Sequence, residues 1–98
     1  MIVIILTTGP ESRNTATAIG IARGLLRRGR KVCLFLMSQG VLQADNPLLK
    51  ALVQEGATVT GCEHDAGGLG VASGPEIKFG SMIDLGKMMS QADKVICL

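Results

Sequence analysis

Two long apolar runs give the chain its rhythm. Met1–Thr7 (MIVIILT) and Val32–Met37 (VCLFLM) are continuously hydrophobic rather than alternating, the pattern of strands covered on both faces. Between them Thr8–Arg13 is polar and contains Gly9-Pro10, a loop signal. Asn14–Arg28 then predicts a helix, with Ala18, Ala22, Leu25 and Leu26 on one face beside Ile19 and Ile21. Gly29 follows as the residue that ends it. The basic cluster Arg27, Arg28, Arg30 and Lys31 suits the negative end of the helix dipole and reads as a solvated helix end.

The second half repeats the theme with shorter elements. Ser38–Asp45 is a long connection containing Gly40. Asn46 is placed to cap a helix whose first residue is Pro47, and Leu48–Glu55 supplies its body before Gly56 closes it. Ala57–Gly61 (ATVTG) predicts a third, less apolar strand. Cys62–Gly74 carries Gly67, Gly68, Gly70 and Gly74 and reads as a glycine-rich segment that can open with a short helix. Glu76–Phe79 predicts a fourth, short strand. Ser81 with Asp84 three residues later has capping-box spacing, so Met82–Gln91 predicts a helix, whose Met82, Met88 and Met89 read first as core filler, with an oligomer face as the alternative. Lys94–Leu98 (KVICL) is the last strand.

Alternating strands and helices demand crossovers between parallel strands, with helices on both faces of one sheet. The expected architecture is therefore an α/β, three-layer α/β/α sandwich with a mainly parallel five-stranded sheet, flavodoxin-like in broad class. It forms a single domain over residues 1–98. Strand order is not readable, and there is no internal repeat or linker.

Composition sharpens this picture at three points. Of 98 residues 47% are hydrophobic and only 18% charged, an apolar surplus that a small domain hides most simply by self-association. A formal charge of +2, with two phenylalanines and no tryptophan or tyrosine, argues against a nucleic-acid partner. Met1–Leu6 is far shorter than the ~20 residues that span a bilayer, and it lacks the basic leader of a secretory signal. With three cysteines, an odd number, the chain reads as a reduced, cytoplasmic protein with no membrane association.

Chemistry in an open parallel sheet gathers at the carboxyl ends of its strands. Only the third strand carries a reactive side chain there. Cys62 follows it directly, before a segment whose helical start would favour a thiolate. Glu63 and Asp65 disfavour that thiolate, whereas a protonated His64, the single histidine, would favour it. An ordinary loop thiol and a solvated loop histidine are the plainer alternatives. Cys33 and Cys97 lie inside strand runs and read as buried, structural residues. Metal binding has little support, since Cys62-x-His64 offers two ligands where a structural zinc needs four. Nucleotide motifs also fail: Gly68-x-Gly70-x-x-x-Gly74 misses the dinucleotide spacing, and Gly80-x5-Gly86-Lys87-Met88 misses that of a P-loop.

Three segments together carry a resemblance. The opening IVIILTTGPE with its small-residue helix, KVCLFLMSQGV, and the ending GSMIDLGKMMSQADKVICL resemble the DsrE/DsrF-like family, which shares the YchN-like fold with the sulfur-relay Tus subunits. That family's functional cysteine follows the third strand, with seven residues between it and a glycine that an apolar residue follows. Cys62, Ala66, Gly70 and Val71 match this outline. The resemblance implies a sulfurtransferase-like carrier that accepts sulfane sulfur as a persulfide on Cys62 and passes it to a partner. His64 would tune the thiol, and backbone N–H groups around Gly67, Gly68 and Gly70 would hold the anion. No redox or nucleotide cofactor and no metal is required. The implied partners are further copies of the chain, as a trimer or larger homo-oligomer, and other sulfur-carrier proteins. The chain departs from the pattern where many members carry arginine before the glycine; it has Gly68 and Leu69. Some members carry a second cysteine where it has Asp65. These departures favour the alternative of a non-catalytic oligomeric module of the same fold that binds a small ligand or a protein.

Overall fold

The structure, a computed structural model, describes every residue from Met1 to Leu98. Five strands, β1 (Ile2–Leu6), β2 (Val32–Leu36), β3 (Thr58–Cys62), β4 (Lys78–Gly80) and β5 (Lys94–Cys97), form one sheet. Their order is β4-β3-β2-β1-β5, and every neighbouring pair is parallel. Four helices connect them: α1 (Asn14–Arg27), α2 (Pro47–Gln54), α3 (Glu63–Leu69) and α4 (Met82–Gln91). Stepping from β1 through β4 moves one way across the sheet, and the return to β5 moves the other way. Right-handed crossovers then place α1 and α2 on one face and α4 on the other. The observed contact between α1 and α2 agrees. In a flavodoxin-like sheet β1 lies between β2 and β3; here it lies between β2 and β5, so that resemblance stops at the layered architecture.

The two continuous apolar runs become the two most buried strands. Every residue of β1 and β2 is buried, and Phe35 is the largest side chain fully enclosed. Helix α1 turns Thr15, Ala18, Ile19 and Ala22 to the core, while Ile21, Leu25 and Leu26 are only partly covered. Asn46 caps α2 through its side-chain oxygen, which accepts the Leu48 N–H at 2.9 Å. Ser81 and Asp84 form the expected capping box on α4.

Several expectations change. Ser38–Asp45 is a 3₁₀ segment rather than an open connection. It is fixed in place from both sides. The Gln43 side chain, almost wholly buried, donates to Thr15 Oγ1 at 2.7 Å and accepts from Asn46 at 3.1 Å. At Gly40 any Cβ would collide with the Leu6 carbonyl oxygen, so only glycine lets the segment lie on the end of β1. The third strand runs one residue later than predicted and includes Cys62, because pairing of β3 with β4 extends to Cys62 opposite Gly80. The glycine-rich stretch does open with a short helix, α3, as its sequence allowed. Cys97 is exposed, since β5 is an edge strand. Met82 and Met89 are exposed too, and of the three helix methionines only Met88 packs partly against the core.

Candidate functional site

Parallel strands bring the carboxyl ends of all five to one end of the molecule, and one cleft forms there. It occupies about 290 Å³ and is lined by Ser38, Gln39, His64, Asp65, Gly68 and Leu69. One wall is the start of the 3₁₀ segment that follows β2, and the other is α3, which follows β3. Five of the six lining residues are polar or glycine, so the cleft suits hydrogen-bonding groups better than an apolar ligand.

One direct bond spans it. The Ser38 N–H donates to Asp65 Oδ2 at 2.7 Å. Ser38 also has a left-handed backbone, φ 53°, and no other non-glycine residue does. Serine without a ring or a second γ substituent tolerates this region at a cost of about 1–3 kcal/mol. In this conformation the Ser38 N–H meets the Asp65 carboxylate of α3.

Cys62 is buried and does not line this cleft. It is the last residue of β3 and the N-cap of α3, with 3% of its surface exposed. Its sulfur caps none of the free N–H groups of α3. His64 is exposed and lines the cleft, so the thiol and the imidazole stand in different surroundings, and no hydrogen bond joins them. Of the three glycines, Gly68 lines the cleft, Gly67 lies within α3, and Gly70 ends the helix with φ 70°. No three His, Cys, Asp or Glu side chains gather as a metal site.

The whole sequence, residues 1–98, matches the DsrE/DsrF-like family profile. The chain belongs to this family. Among solved structures, the ychN protein from E. coli matches this DsrE/DsrF-like chain with a TM-score of 0.88 and 22% identity, over 99% of this chain and 97% of that one. A conserved protein of unknown function, BT1422 from Bacteroides thetaiotaomicron, matches with a TM-score of 0.74 and 21% identity, over 99% and 94%. Likeness at these identities establishes the fold. No curated protein matches the chain significantly.

Sequence reasoning singled out Cys62, His64 and Gly68 as site residues at this end; it also put Ser38–Gly40 at the carboxyl end of the second strand, but gave Ser38 and Gln39 no chemical role. Nothing in Ser-Gln-Gly announces a left-handed serine; the turn signal there is Gly40, two residues on. Asp65 entered only as a negative neighbour of the thiol, whereas its carboxylate bonds backbone across the cleft. No helix is long and apolar enough to cross a membrane.

Proposed function

We propose that this DsrE/DsrF-like chain is a sulfur carrier in which Cys62 holds the transferred atom. The observation that carries the reading is its position. The only cysteine at the carboxyl end of β3 is the N-cap of a short helix, where the family's functional cysteine is expected. A helix start favours the anionic form of a thiol or persulfide. The Cys62 thiolate attacks the outer sulfur of a donor persulfide, so a sulfur–sulfur bond forms on Cys62 as the donor's own sulfur–sulfur bond breaks. The donor leaves as a thiolate with the electron pair. An acceptor thiolate repeats the exchange and regenerates Cys62, with no net oxidation. Gly67, Gly68 and Gly70 leave the backbone around the outer sulfur open to it, and His64 at the rim exchanges the proton of the departing thiolate. The partners are other sulfur-carrier proteins reaching the strand ends, and the working form is a homo-oligomer in the cytoplasm.

The test is intact-mass spectrometry after incubation with a sulfane-sulfur donor, beside Cys62→Ser. The expected result is a gain of one sulfur atom on the native chain and none at that position in the variant. Equal loading of both would remove Cys62 from the role.

A second reading has one observation in its favour: the cleft is complete without Cys62, whose thiol is buried. On that reading the cleft binds a small polar ligand through Ser38, Gln39, His64 and Asp65. A chain that never loads sulfur, yet has Cys62 open to alkylation, would move this reading ahead.

A further inference from the structure

A carrier cysteine must be reached, and Cys62 is covered. We infer that α3 is a lid over Cys62 and that the hydrogen bond from Ser38 to Asp65 is its latch. The inference deepens the sulfur-carrier reading by saying how the thiol becomes accessible, but its test does not depend on sulfur loading.

The lid is lightly held. It has seven residues, of which only Ala66 is buried. Gly67 and Gly68 occupy its second half, and a Cβ at either would meet nothing within 4 Å. Interior glycines cost a helix roughly 0.5–1 kcal/mol each against alanine. The N-cap supplies no side-chain bond. Gly70, with φ 70°, and the bond from the Val71 N–H to the Ala66 carbonyl at 2.9 Å close the other end. Apart from the Ala66 methyl group, the specific tie between α3 and its surroundings is Asp65 on the Ser38 amide at 2.7 Å.

The opposite jaw does not share this weakness. Gln43 bonds α1 and the cap of α2, and Gly40 is seated on the end of β1. β3 lies between two hydrogen-bonded neighbours, β2 and β4. Local opening takes the least supported element first, which here is α3. The cleft is the seam along which it parts, with Asp65–Ser38 as the one direct bond across it.

The three cysteines supply the test. Cys97 is exposed and reports the intrinsic rate of a reagent. Cys33 is buried in the central strand β2 and reports global unfolding. Cys62 reports the lid. Native protein is treated with iodoacetamide, and the alkylation of each cysteine is followed by peptide mass mapping. Cys62 should label more slowly than Cys97 and well before Cys33. Asp65→Ala should raise the Cys62 rate about tenfold, the scale of losing one charge-assisted hydrogen bond, with Cys97 and Cys33 unchanged. Asp65→Asn removes the same charge but keeps an acceptor, so it should fall between wild type and Asp65→Ala; equality with Asp65→Ala would assign the effect to charge near the thiol and overturn the latch. Cys62 labelling in step with Cys33, in either protein, would overturn the lid. A chain that loads no sulfur but shows this pattern refutes the carrier reading and leaves the lid standing.

Discussion

The left-handed backbone of Ser38 sets a balance at the scale of one residue. The conformation costs serine about 1–3 kcal/mol relative to glycine, which enters it freely, while glycine loses more chain entropy on folding. Relief of local strain outweighs that entropy term where φ is positive. Ser38→Gly keeps the N–H that meets Asp65 and removes only the hydroxymethyl side chain, so it should stabilise the fold by roughly 0.5–1 kcal/mol. Urea unfolding checks this, and a loss of stability would mean that the serine side chain contributes contacts of its own. Cys97 shows a different limit of local reading. Cys33 in VCLFLM and Cys97 in VICL have similar sequence surroundings, yet one lies in a central strand and the other on an edge. Burial of a strand residue depends on strand order, which no local pattern contains.

Among the elements, those that carry their own punctuation were the ones legible in the sequence. Asn46-Pro47 and Ser81 with Asp84 announced α2 and α4, because caps are chemical pairings between near neighbours in sequence. Helix α3 was legible only as a short helical opening with no defined end. Its body, EHDAGGL, lacks an apolar stripe, and tertiary contact at Ala66 and Asp65 holds what propensity does not. Gly67→Ala with Gly68→Ala should therefore raise stability by roughly 0.5–1 kcal/mol per site. The Cβ atoms meet open space, so no clash offsets the gain. The same pair should slow alkylation of Cys62 relative to Cys97, and a faster rate would contradict the lid. The cap of α4 makes a prediction about acid. The Ser81 backbone N–H, then its hydroxyl, hold the Asp84 carboxyl below the usual aspartate range. A carboxyl depressed in the folded state stabilises it above the unfolded pKa, about 3.9, and loses that contribution as pH falls through the folded value. Thermal midpoints should thus fall below about pH 4, and the Asp84→Asn variant should lose less over the same window. Parallel curves for the two proteins would assign the acid sensitivity elsewhere.

For the whole molecule, surface area and surface composition point in different directions. The accessible area is 5292 Å², and a folded monomer of this mass is expected to expose roughly 5300 Å². Folding therefore hides as much as it ordinarily does, and the apolar surplus of the sequence appears in what the remaining surface is made of. Seven large hydrophobic side chains are exposed, and four of them, Met82, Ile83, Met89 and Val95, belong to α4 and β5. Met82 and Met89 are seven residues apart and share a helix face, with Gly86 between them and open space where its Cβ would be. Ile83 stands beside them and is 71% exposed, the most of any large hydrophobic residue. A bare helix stripe with a glycine at its centre permits close approach of another apolar surface, and β5 beside it is an unpaired sheet edge. The stripe predicts self-association of the 10.2 kDa chain at micromolar concentration, measured by sedimentation, and the family resemblance implies a trimer or larger as the assembly found. Ile83→Asp should shift that assembly toward the monomer without lowering the monomer's helix content, because the side chain it replaces touches little of its own fold. Wild-type chain that sediments as a monomer would leave the stripe without its partner, whereas an Ile83→Asp variant that still assembles would move the interface away from α4.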